Sequence, residues 1–134
     1  MSTTPSTSWV HTADNAVPPL DEDLEDRIAD LRGIHPGVDL ILDGARLIAL
    51  DRHTLDRTQT LLSTIAGNGG TDLLEVLAQL VRRLTDPAQN PCLRTLDPDT
   101  QKAVQRLGEQ HAYETAEYTP REHPSEAAAL IDGI

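Results

Sequence analysis

Phenylalanine is missing from this 134-residue sequence, and Trp9, Tyr113 and Tyr118 are its only aromatic side chains. Platforms on which bases or sugars could stack are correspondingly few. The core must be aliphatic, drawn from nineteen Leu, seven Ile and six Val. One cysteine, Cys92, excludes an internal disulfide and suits a reducing compartment. Lysine is almost absent as well, with ten Arg beside Lys102; that bias fits a G+C-rich coding sequence and carries no functional information. No apolar run approaches the roughly 20 residues of a membrane span. Residues 1–20 contain neither Lys nor Arg nor a long apolar stretch, so no secretory leader is expected and the chain reads as cytoplasmic.

What is plentiful is negative charge. The net charge is −11, and it is unevenly spread: −6 over residues 1–50, zero over 51–94 and −5 over 95–134. A neutral middle between acidic ends argues against direct nucleic-acid binding, where affinity comes mainly from Lys and Arg displacing counterions. The same distribution suits a protein partner with a basic surface, approached faster through long-range attraction.

A chain of this length fits one domain and hides roughly 65–70% of its unfolded surface on folding. The pattern predicts a mainly α protein of four to five helices, with a flexible Ser/Thr/Pro-rich arm over 1–19, a single helical domain over 20–118 and a tail over 119–134. In the arm, Trp9 and Val10 stand side by side as sizeable apolar groups. A first helix over 20–32 places Leu20, Leu24, Ile28 and Leu31 on one stripe. Asp21, Glu22, Asp23, Glu25 and Asp26 crowd its start, where the helix dipole favours negative charge. Gly33 is placed to end it, with Ile34 folding back as a cap contact.

Residues 38–50 read VDLIL-DG-ARLIAL. Asp-Gly between two apolar runs is the strongest short hairpin signal, so a β-hairpin is expected there, with a helix continuing from Ala45 to Ala66 as the competing reading. In the hairpin reading Asp51 becomes the N-cap of a helix over 52–66 that stops at Gly67. The clearest element is a helix over 72–84, opened by Asp72 and Glu75 in capping-box spacing. Its face of Leu73, Leu74, Val76, Leu77, Leu80, Val81 and Leu84 is expected to form the core, with Glu75, Gln79 and Arg82 turned away. Helices 52–66 and 72–84, joined by a Gly-rich loop, should pair as an antiparallel helical hairpin. Asp97 and Pro98 open a further helix to about 118 with a weak stripe of Ala103, Val104, Leu107, His111 and Tyr118. Ser125 is placed to cap a short docking helix over 126–131.

Signs of chemistry are weak. The loop at 67–71 lacks the Lys and Ser/Thr of a phosphate-binding loop, and Asp72 puts negative charge where a phosphate would sit. His53 with Asp56 and His111 with Glu114 could share helix faces, but neither has the spacing of a zinc hydrolase, and no second cysteine completes a structural site. No cofactor or metal is expected, and no catalytic residue is assigned. The expectation is a non-enzymatic protein–protein interaction module: an adaptor, assembly chaperone, structural component or antitoxin-like inhibitor, compatible with a homo-oligomer. Its contact residues would be Trp9, the acidic and apolar groups of 20–31 (Leu20, Asp21, Glu22, Asp23, Leu24, Glu25, Asp26, Ile28, Leu31) and Leu130, Ile131 and Ile134. Two alternatives are a nucleic-acid mimic that occupies a DNA-binding protein and a small metal-dependent enzyme.

Overall fold

The computed structural model describes residues 16–117 and 121–133. Among the described residues there are six α-helices and no strand: α1 (Glu22–Leu31), α2 (Pro36–Leu50), α3 (Leu55–Ala66), α4 (Leu73–Leu84), α5 (Pro98–Glu117) and α6 (Glu122–Asp132). A short 3-10 helix, Pro91–Thr95, precedes α5. The small all-α fold is as the sequence implies, with one helix more than expected. The expected N-terminal arm lies outside the described residues as far as residue 15, and so does Trp9; residues 16–19 are exposed and non-helical. Packing separates two compact units, one ending at Arg52 and the other beginning at His53.

In the first unit α1 begins two residues later than expected, with Asp21 outside the helix as its N-cap. The Asp21 carboxylate accepts the Leu24 N–H at 3.1 Å, and Glu22, Asp23 and Glu25 fill the first turn. Gly33 then takes φ +91, a left-handed conformation that a Cβ would penalise. Ile34 stays 69% exposed and does not fold back as a cap contact. The chain instead enters α2 at once: His35 is the N-cap, its Nδ1 accepting the Gly37 N–H at 2.8 Å, and Pro36 occupies the first turn, where a missing N–H costs nothing.

The hairpin expected over 38–50 is therefore a helix. A type I′ turn needs positive φ at both central residues, yet among the described residues only Gly33 and Gly70 have positive φ. The carboxylates that signalled a turn hold the helix to its neighbours instead. Asp39 accepts the Gly33 N–H at 2.9 Å, and Asp43 accepts from Arg32 at 2.7 Å. Ile28 and Leu42 are the buried apolar residues where α1 meets α2. Asp51 closes α2 as its C-cap and is not the N-cap of the next helix.

In the second unit Thr54 caps α3 by accepting the Arg57 N–H at 3.0 Å, so this helix starts three residues later than expected. Gly67 ends it as anticipated; a Cβ there would come within 2.9 Å of Ser63 Cα. The expected antiparallel hairpin of α3 and α4 is only a minor contact. The main packing partners are α3 with α6 and α4 with α5. Ala78 of α4 and Gly108 and Ala112 of α5 are buried at the second of these crossings. Gly108 admits no side chain, because a Cβ would lie 1.7 Å from Thr85 Oγ1. This inner face of α5 replaces the expected stripe, whose Leu107 and His111 are exposed and whose Tyr118 lies outside the described residues. Asp97 caps α5 as expected, accepting the Thr100 N–H and hydroxyl, which hold its carboxyl below the usual range.

The last helix begins at Glu122, four residues before the expected start. Pro124 sits inside its first turn, where its missing N–H has no intrahelical acceptor to lose. Ser125 is not the cap; its hydroxyl donates to the Gly67 carbonyl at 2.8 Å and ties α6 to the end of α3. Ala128 is buried.

Candidate interaction surface

The second unit is organised around one buried ion pair. Asp72, the N-cap of α4, accepts the Glu75 N–H through Oδ1 and the Asn68 N–H through Oδ2. Arg121, at the start of α6, donates to the same carboxylate twice, from Nε at 2.6 Å and from Nη2 at 3.0 Å. The fork-shaped guanidinium matches the carboxylate edge, the strongest geometry such a pair can take. Its third nitrogen, Nη1, donates to the Thr115 carbonyl of α5. One side chain thus joins three helices. Both groups are buried. The Arg121 hydrogen bonds, with those from Glu75 and Asn68, hold the Asp72 carboxyl at about 2 against the opposing effect of burial. Asp72 raises the Arg121 guanidinium further above its usual range.

Glu75 extends this network. Its Oε1 lies 3.8 Å from Arg121 Nη2, and its Oε2 accepts from Gln79 at 2.8 Å. The expected capping box is therefore half made: Asp72 caps the Glu75 N–H, while the Glu75 side chain turns to Arg121 and Gln79. Glu75, Gln79 and Arg82 line one wall of a shallow groove whose other wall is Glu109, Ala112, Tyr113 and Ala116 of α5. Glu75 is half-buried there, while Gln79 and Arg82 stay exposed along the groove.

That orientation turns α4 inside out. The helix leans on α5 through Ala78 and its polar flank, where small residues allow close approach. Its leucines point the other way. Leu73, Val76, Leu77, Leu80, Val81 and Leu84 are each 37–61% exposed. By the 100° step per residue they form one stripe about 140° wide. Of the seam expected to hold the molecule together, Leu74 alone is half-buried and the other six residues are exposed, which is the largest departure from the sequence reading.

The other expected contact residues are scattered. Asp21, Glu22, Asp23, Glu25 and Asp26 are all exposed on α1; Asp21 is occupied as a cap, and Glu25 lies 3.8 Å from Arg46. Of the apolar stripe, Ile28 is buried against α2, Leu20 and Leu24 are half-buried and Leu31 is exposed. This stripe is thus partly used inside the first unit. On α6, Leu130 is exposed and Ile131 half-buried, while Ile134 lies outside the described residues. Sequence reasoning identified the leucines of α4 but assigned them to the core, and it missed Arg121 altogether.

Nothing comparable gathers for chemistry among the described residues. No three of His, Cys, Asp and Glu come close enough to hold a metal ion there. Cys92 is exposed beside Asn90. The N–H groups of Asn68 and Glu75, the donors a phosphate cradle would need, are taken by Asp72. No described helix is long and apolar enough to cross a membrane. Comparison with protein-family models, curated proteins and solved structures returns no match.

Proposed function

We propose that this chain is a non-enzymatic protein–protein interaction module, an adaptor or assembly factor. The observation that supports this reading is the bare leucine face of α4. Contiguous apolar patches of more than a few hundred Å² are uncommon on proteins that work alone, and larger ones mark interaction sites. The exposed acids of α1 add a second means of contact. They steer a basic protein surface by long-range attraction, an effect that weakens as salt shortens the Debye length to about 8 Å at physiological ionic strength.

Two variants of the full chain separate the surfaces: Glu22→Lys with Asp23→Lys and Asp26→Lys on α1, and Leu77→Glu with Leu80→Glu on α4. Affinity capture from the native host, followed by cross-linking mass spectrometry, should recover a basic protein with the wild-type chain. Capture should fall with the α1 variant and with rising salt, while circular dichroism of both variants stays helical. Capture indifferent to salt and to both variants would sink the proposal.

A further inference from the structure

We infer that the leucine face of α4 is covered by α4 of a second copy of this chain, the two helices running antiparallel about a two-fold axis. The inference rests on the interaction reading above and names the occupant of that surface. Its first support is the order of residues. Leu73, Leu77, Leu80 and Leu84 follow the 4-3-4 spacing of a coiled-coil seam. The apolar set is also a palindrome about a point between Ala78 and Gln79: Leu73 exchanges with Leu84, Val76 with Val81, and Leu77 with Leu80. A two-fold interface must be self-complementary, each residue meeting its counterpart's counterpart across the axis. Reversing the direction of α4 reproduces its apolar pattern, so antiparallel pairing sets Leu73 against Leu84 of the second copy and Leu77 against Leu80.

Charge and area support the same occupant. Two chains of net charge −11 repel one another, but α4 carries Glu75 against Arg82 and Arg83. It is therefore a segment through which the copies approach without adding to that repulsion. The six apolar side chains leave on the order of 500 Å² bare per copy. Pairing two copies hides at most about 1,000 Å², the minimum a specific contact must clear. The seam layers lie over exposed side chains, so pairing does not require the α4–α5 packing at Ala78, Gly108 and Ala112 to open.

Sedimentation equilibrium of the full chain, across micromolar concentrations, should return twice the 14.6 kDa chain mass. Leu77→Glu with Leu80→Glu should halve that mass while helicity persists. Orientation is read by disulfide trapping in a Cys92→Ser background. Mixing a Leu73→Cys chain with a Leu84→Cys chain should give a cross-linked heterodimer, while neither chain cross-links to itself. In the antiparallel pair the two copies of position 73 stand 11 residues apart along the axis, about 16 Å at 1.5 Å per residue, beyond disulfide reach. A wild-type monomer, a dimer that survives both Glu substitutions, or self-cross-linking of the Leu73→Cys chain would each overturn the inference. A wild-type monomer whose heterologous capture is lost with the α4 variant would overturn self-pairing alone and leave the interaction reading standing. Capture indifferent to salt and to both variants would remove that reading whatever the mass.

Discussion

Two arginine–aspartate pairs, one in each unit, are nearly equal in length and unequal in everything else. Arg32 reaches Asp43 at 2.7 Å with both side chains largely in water. Arg121 reaches Asp72 at 2.6 Å with both nearly enclosed. Distance alone would rate them alike. In water the attraction is screened and holding two long side chains still costs entropy, so an exposed pair contributes little. Enclosed, removing one member strands an unpaired charge in a poor solvent, which is far more costly than losing the contact itself. The difference lies in what surrounds the pair, and in how much of the fold each end touches: two helices for Arg32, three for Arg121.

The sharpest way to break this contrast is Arg121→Ala. It leaves the Asp72 carboxylate buried and releases the Thr115 carbonyl, and should lower stability by about 3 kcal/mol in urea unfolding. Loss of hydrogen-exchange protection should centre on α4 and α6. A change below about 1 kcal/mol would mean that the pair is no stronger than its exposed counterpart.

Acid tests the same pair without mutation. The Asp72 carboxyl is held at about 2 rather than the usual 3.8. A carboxylate whose folded value is depressed contributes stability that is fully present above its unfolded value and lost as pH falls through the folded one. Stability should therefore decline between about pH 4 and pH 2, with Asp72 accounting for about 1–2 kcal/mol of it. The Arg121→Ala protein should show a flatter decline over that window when unfolding is followed by circular dichroism. Equal slopes would remove Asp72 as the source. The smallest effect belongs to Arg32→Ala, where urea unfolding should shift by less than about 1 kcal/mol and less still at high salt.

These contrasts follow what a linear sequence can carry. Signals confined to a few residues were legible: Asp97 as a cap, Gly33 and Gly67 as stops, Asp72 at the head of α4, Pro98 at the head of α5. Each depends on backbone groups within four residues of the side chain. Asp43-Gly44 was misleading because the turn chemistry it suggests is real but local, and the flanking apolar runs satisfy helix and strand alike. Pro36 behind the His35 cap starts the helix, a signal the sequence reading did not weigh. The tie between Asp72 and Arg121 spans 49 residues, and nothing near Arg121 marks it as other than a surface cation.

The leucines of α4 raise a different problem. Periodicity located the stripe correctly but could not say which side of the helix the protein would cover. Small residues decided it: Ala78 on α4, with Gly108 and Ala112 on α5, are the buried positions of the two helices, and they allow a close crossing that leucines there would prevent. In the candidate surface, then, the residues were readable and their direction was not.

At that crossing, Gly108 abuts Thr85, which as the C-cap of α4 also returns its hydroxyl to the carbonyls of Val81 and Arg82. A side chain at position 108 would have to displace Thr85, whose hydroxyl oxygen lies 1.7 Å from where its Cβ would be. A bulkier residue at position 108 would therefore press on the residue that closes the leucine helix and loosen its last turn without touching a single leucine.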